Sequence, residues 1–440
     1  MNKRRVLLGS VALCGLVLVG TALYLDMSRR ITTEPPRQEE PVEKEEPRQP
    51  APPAQPPAEP EEPAGLFGPY EKEAHRVLEG MSPEEKLGQV FFVRCPTAAD
   101  LPAVQALHPG GFVLFGRDFK GQDAQRVQDT VAGYQQAASI PLLIGVDEEG
   151  GTVCRVSGNA GLRAQRFPSP QALYAAGGME AVEADAREKG ALLRSLGINV
   201  NLAPVADVSQ DPADFISARA FGQSAVETGR YVAAVVGATQ QTGIGTAMKH
   251  FPGYGNNSDT HTGSAHDTRT LQQFRQNDLV PFRAGIDAGG QSILVSHNVV
   301  DCMEPGVPAS LSPKVHQLLR QELGFEGVIM TDDLAMGAVT DYCGAVPPAV
   351  QALNAGNDLL LVTDLAGNYQ ALQAALADGT VSQQRLDDAV LRVLEWKLAL
   401  GLFYEKSLPL AWHFHGGICR GGAGRGLPSL CVFLPSCRRI

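Results

Sequence analysis

The chain has 440 residues, of which 44% are hydrophobic and 19% charged, close to the average for globular proteins and too apolar for disorder throughout. Lys plus Arg number 37 against 48 Asp plus Glu, a net charge of -11, which argues against sequence-independent binding to nucleic acid. The length allows two or three domains, or one barrel of about 250 residues or more.

In chain order, Lys3, Arg4 and Arg5 precede an uncharged, mostly apolar run over residues 6–25, which Asp26, Arg29 and Arg30 close. At 1.5 Å per residue such a helix spans about 30 Å, the thickness of a bilayer's hydrocarbon core. Residues 1–30 are therefore read as an uncleaved signal anchor or a signal peptide. That reading makes the membrane a partner and places the rest of the chain outside the cytoplasm, in a single-pass protein or a secreted one. Residues 31–65 hold 11 prolines, and nine Glu against three Arg or Lys. This composition cannot bury enough apolar surface to fold, and it reads as a disordered, extended linker.

The folded body is expected over residues 66–404. Met81-Ser82-Pro83-Glu84-Glu85 carries a helix start, with Ser82 as cap, Pro83 at the first position and Glu85 closing a capping box. Eight short apolar runs then alternate with helical stretches, at residues 89–93, 111–115, 142–146, 199–203, 246–250, 292–296, 328–332 and 358–362. Apolar runs without alternation suit parallel strands buried on both faces. Eight such units favour an α/β fold of the (β/α)8 TIM-barrel type over an open doubly wound sheet. Cys95, Cys154, Cys302 and Cys343 are scattered singly and outline no disulfide framework. Residues 405–440 break the pattern with three cysteines, Gly-rich runs and five basic residues against one acidic, and they read as an irregular tail. His413, His415 and Cys419 lie in it, but no second pair has zinc-site spacing, and no metal is assigned.

Chemistry concentrates in Lys249-His250-Phe251-Pro252-Gly253-Tyr254-Gly255-Asn256-Asn257-Ser258-Asp259-Thr260-His261. It follows the fifth strand, and so belongs at the C-terminal face where barrel enzymes keep their active sites. Asp259 and His261 are two apart, a spacing that lets a carboxylate orient an imidazole and raise its pKa, as a general acid needs. Val328-Ile329-Met330-Thr331-Asp332-Asp333 ends an apolar strand in an acid at the barrel mouth. Asp333 fits a capping role better than Asp332 does.

Together with Asp147-Glu148-Glu149-Gly150-Gly151, Asn201-Leu202-Ala203-Pro204-Val205-Ala206-Asp207 and Arg219-Ala220-Phe221-Gly222, these motifs resemble glycoside hydrolase family 3. The likeness is to its single-domain β-N-acetylglucosaminidase branch, over roughly residues 70–404. The resemblance implies Asp332 as nucleophile, His261 as acid/base and Asp259 as its partner. It implies Asp147, Arg155, Arg219, Lys249 and His250 as sugar-binding residues, with no metal or organic cofactor. The implied activity is retaining, exo-acting release of terminal β-linked N-acetylglucosamine from peptidoglycan fragments or related oligosaccharides. A β-glucosidase or β-xylosidase of the same family and a non-catalytic cell-wall-binding barrel are the rival readings. The loop departs from the family at Tyr254, where histidine is common, and in having three residues between Gly255 and Asp259 where many relatives have four. His266 and His297 match no catalytic position and are read as structural or peripheral.

Overall fold

The computed structural model describes residues 65–255 and 265–403. All eight expected strands form: β1 Phe91–Arg94, β2 Gly111–Leu114, β3 Leu143–Val146, β4 Val200–Asn201, β5 Gly245–Phe251, β6 Ser292–Val295, β7 Val328–Thr331 and β8 Leu360–Val362. Each pairs in parallel with its neighbour in sequence, and β8 pairs back onto β1. A parallel bridge between Met330 and Leu359 joins β7 to β8 and closes the ring. The Thr331 amide donates to the Leu359 carbonyl there at 3.1 Å. Closure settles the choice between a barrel and an open sheet.

Period-two alternation divides the strand residues between two cores. Phe92, Val113, Leu143, Val200, Ala247, Leu294, Met330 and Leu361 fill the barrel interior, while Phe91, Phe112, Ile144, Met248, Ile293 and Ile329 pack outward among the helices. Gly145 completes the interior layer by absence. A Cβ there would lie 2.5 Å from the Phe92 ring, so only glycine leaves the ring its place. Trp396, fully buried on helix Gln383–Ala399, packs against Gly245 at the N-terminal end and donates to Gln291 Oε1 at 3.1 Å.

Two irregularities matter for the site. Strand β4 is only two residues long because Pro204, two residues beyond Leu202, has no N–H to give the ladder. Pairing resumes at Val205, opposite Lys249. In β5 the register against β6 shifts between Met248 and Phe251. Both of those side chains pack in the outer core, so the bulge leaves Lys249 and His250 as two consecutive residues free to face the site. The expected capping box also forms, with Ser82 and Glu85 bonding reciprocally ahead of helix Pro83–Gln89.

One expectation is overturned. Among the described residues no helix is long and apolar enough to cross a membrane. The longest, Pro170–Ser195, is broken at Gly177 and Gly178, and its second half carries Glu180, Glu183, Asp185, Arg187, Glu188, Lys189 and Arg194. Hydrocarbon would penalise such a charge load heavily. Residues 6–25, the expected anchor, lie outside the described residues, as do residues 31–64 of the linker and the tail at 405–440. The signal anchor, the membrane as partner and the single-pass extracytoplasmic placement are thereby corrected to a barrel without a membrane-spanning helix among its described residues.

Candidate active site

Continuing the interior alternation past the ends of the strands brings Arg94, Phe115, Asp147, Lys249, Asp332 and Thr363 to one rim at the C-terminal face. Contacts bear this out around the ring. The Arg94 guanidinium carbon lies 4.5 Å from the centre of the Phe115 ring, and that of Arg155 lies 5.8 Å from it. Arg155 Nη2 reaches Asp147 Oδ2 at 3.7 Å, and Lys249 Nζ donates to Asp147 Oδ1 at 2.7 Å.

Lys249 is the centre of a buried charge cluster. It is 3% exposed and meets a second carboxylate, Glu149 Oε1, at 2.6 Å. Arg219 grips the same carboxylate with both arms, from Nε at 2.9 Å and Nη2 at 2.7 Å. Burial alone would raise the Glu149 pKa, but Lys249 and Arg219 outweigh it and hold the carboxyl well below its usual range. Burial likewise opposes the charge on Lys249, and Asp147 and Glu149 reverse that and push its pKa up. Glu148, between the two ligating acids, turns the other way and accepts from the Val156 and Ser157 amides, which fixes the hairpin beneath them.

Arg219 also donates from Nη2 to His250 Nε2 at 3.1 Å. A guanidinium has no lone pair to offer, so Nε2 is the acceptor and Nδ1 carries the proton, which it donates to Asp207 Oδ2 at 2.7 Å. Asp207 additionally accepts from the His250 and Tyr254 amides, at 3.0 and 2.8 Å. One carboxylate thus sets the tautomer of His250 and ties down the chain where it leaves β5.

Asp332 directly follows β7 and stands half-buried, with its amide bonded to the Val295 carbonyl at 3.0 Å. Desolvation raises its pKa, but His297, the Asp333 amide and the Lys249 ammonium together hold it below the ordinary value. The Asp333 amide donates to Asp332 Oδ1 at 2.8 Å. His297, fully buried, bonds Ser310 Oγ through Nδ1 at 2.7 Å and donates from Nε2 to the Asp333 carbonyl at 3.0 Å. It therefore braces the turn that presents Asp332. Asp333 accepts from the Ala335 amide and the Thr363 hydroxyl, which is the turn-capping role its position implied.

The structure thus brings together Asp147, Arg155, Arg219, Lys249, His250 and Asp332. Asp259 and His261 lie outside the described residues. Glu149, Asp207 and His297 were not singled out as site residues, although the first two stand in quoted motifs. Arg94 and Phe115 gave no motif signal at all. Among the described residues no cluster of three or more His, Cys, Asp or Glu could hold a metal ion.

Lys249→Met should destabilise the fold by about 1–3 kcal/mol, because it leaves Glu149 to Arg219 alone and Asp147 to Arg155 at 3.7 Å. Denaturant unfolding checks this. A loss under about 1 kcal/mol would mean the cluster relaxes or hydrates freely.

Comparison with known proteins agrees with this architecture. Residues 82–396 match the glycosyl hydrolase family 3 N-terminal domain. The chain is 33% identical over 333 residues to the β-hexosaminidase LpqI of Mycobacterium tuberculosis, a stretch covering 72% of this chain and 83% of that protein. It is 37% identical over 300 residues to a β-hexosaminidase of Stenotrophomonas maltophilia, covering 66% of this chain and 85% of the relative. Among solved structures, a glycoside hydrolase family 3 β-N-acetylglucosaminidase from Paenibacillus superposes with a TM-score of 0.69 at 30% identity, over 79% of this chain and 66% of that one. A family 3 glycosyl hydrolase from Mycobacterium smegmatis superposes with a TM-score of 0.65 at 32% identity, over 72% and 97%.

Proposed function

The chain belongs to glycosyl hydrolase family 3, and from that membership we propose a retaining, exo-acting glycoside hydrolase that releases terminal β-linked N-acetylglucosamine from peptidoglycan fragments or related oligosaccharides. The observation that carries the reading is the rim itself. An aspartate held ionised at the end of β7 shares it with a cradle of Asp147, Lys249, Arg219 and His250.

Asp332 attacks the anomeric carbon, and His261, protonated, gives its proton to the departing oxygen. A covalent glycosyl-enzyme results. Neutral His261, oriented by Asp259, then takes a proton from water as the water displaces Asp332. Lys249 stands between two carboxylates and so presents a fixed donor to sugar hydroxyls, while Asp147 offers the matching acceptor. Arg155 and Arg219 complete the donor set, and His250 presents an imidazole of fixed tautomer. Each of these groups is positioned before substrate arrives, which lowers the reorganisation the transition state requires.

A panel of nitrophenyl glycosides tests the reading. The β-N-acetylglucosaminide should be hydrolysed with the highest kcat/KM. Preference for the β-glucoside or β-xyloside would move the chain to the rival branch, and no hydrolysis of any would leave a non-catalytic barrel.

A further inference from the structure

Beyond β5 the chain turns through Gly253, Tyr254 and Gly255, and both glycines take a positive φ, 120° and 55°. Each lies against a charged group. A Cβ on Gly253 would stand 2.7 Å from Asp278 Oδ1, and one on Gly255 would stand 2.6 Å from the Arg269 guanidinium carbon. The two groups are partners, with Arg269 Nη1 donating to Asp278 Oδ2 at 2.8 Å. Arg269 is held in turn by Asp267, through Nε at 3.0 Å and Nη2 at 2.6 Å, and by the Phe274 ring, whose centre is 4.3 Å away. The Asp278 side chain is fully buried, and its Oδ1 has no hydrogen-bond partner among the described residues. Tyr254, between the glycines, donates its amide to Asp207 Oδ1 at 2.8 Å and sets its ring 5.1 Å from that of His250. A path of direct contacts thus runs from the ion pair to the His250 imidazole.

Resting on the hydrolase reading above, we propose that Asp278 and Arg269 are positioning residues for the reaction: their ion pair is the seat of residues 253–255 and so holds Tyr254, Asp207 and His250 in place at the rim. The seat is costly to charge. Burial pushes the Asp278 pKa up to about 6, and Asp207 adds to this, although Arg269 and the Asn277 amide pull the other way. Asp267, the other carboxylate at the seat, is taken up by Arg269. An unfolded chain ionises an aspartate near about pH 4, and the fold ionises this one near about pH 6. Ionised Asp278 therefore lowers stability, increasingly between those two values and in full above the higher one. A buried carboxylate kept charged at neutral pH against such a cost marks a group that function retains. Protonation frees Arg269 from one of its two anchors, and the guanidinium under Gly255 can then shift.

The test measures kcat/KM of the full chain and of its Asp278→Asn variant on an activated aryl β-N-acetylglucosaminide, whose departure needs little help from His261. In the wild type kcat/KM should rise about 10-fold with pH, through an apparent pKa of about 6. Asp278→Asn has the shape of the protonated acid, so it should stay on the lower plateau from about pH 5 to 8 and show no such step. Its melting temperature at about pH 7.5 should equal or exceed that of the wild type, because a costly charge has gone, and any gap should narrow as the pH falls through about 6 towards 4. A merely structural pair gives the opposite, a variant that melts lower and loses activity in proportion to its unfolded fraction. That result overturns the assignment and leaves the hydrolase reading standing. So does an unchanged kcat/KM in Asp278→Asn at neutral pH, or a step near pH 6 that survives the substitution. No hydrolysis by the wild type overturns both.

Discussion

Asp332→Asn is expected to lower hydrolysis of every glycoside substrate by at least about 10⁴-fold, with the fold intact. The amide is nearly the shape of the carboxylate and its oxygen can still accept from the Asp333 amide, so the turn braced by His297 has no reason to move. What disappears is the negative charge and with it the nucleophile. The effect should reach good and poor leaving groups alike, because both need the bond to Asp332. The wild-type pH profile carries the same information. Since the pKa of Asp332 is held below the ordinary aspartate value of about 3.9, its ionised form predominates at and above that pH. The acidic limb of kcat/KM that Asp332 governs should therefore appear only below about pH 4. A limb from this residue near pH 6 would mean that desolvation dominates and that His297, the Asp333 amide and Lys249 do not hold it down.

His261→Ala should behave differently. A poor leaving group needs a proton as its bond breaks, whereas an acidic phenol departs unaided. The loss on a disaccharide should be about 10²–10⁴-fold, and much smaller for glycosylation by an activated aryl glycoside. The same imidazole activates water in the second step, so the glycosyl-enzyme should accumulate on the aryl substrate. Azide, which needs no base, should then restore turnover and yield a β-glycosyl azide. Asp259→Ala should give a milder version, since it orients the imidazole but transfers no proton. Equal losses on both substrate classes, without azide product, would place the acid/base elsewhere, with His297 or His250 tested next.

The barrel was legible in the sequence because parallel strands buried on both faces must be apolar at every position, and eight such runs stand out against helical stretches. Their ends were legible only where a motif crossed them. Lys249 and His250 could be placed at the end of the fifth strand, but not their adjacency in the site, which depends on the bulge between Met248 and Phe251. Arg94 was invisible for a related reason. A charged residue closing an apolar run looks like the end of a strand, and only the closed ring with its alternation turns it toward the rim and Phe115. Glu149 and Asp207 sat inside recognised motifs, yet their roles depend on partners 70 and 43 residues away in sequence, Arg219 and His250. The membrane reading drew on residues 1–30 alone, and the described barrel supplies no spanning helix to sustain it.

The central claim is that Asp332 becomes covalently bonded to the sugar. Incubating the wild-type chain with a slow fluoro-sugar inactivator of the N-acetylglucosaminyl type, then mapping the labelled peptide by mass spectrometry, tests it directly. The expected result is one glycosyl group per chain, ester-linked to Asp332, and none on the Asp332→Asn variant. Labelling of Asp333, or turnover without any covalent adduct, would contradict it.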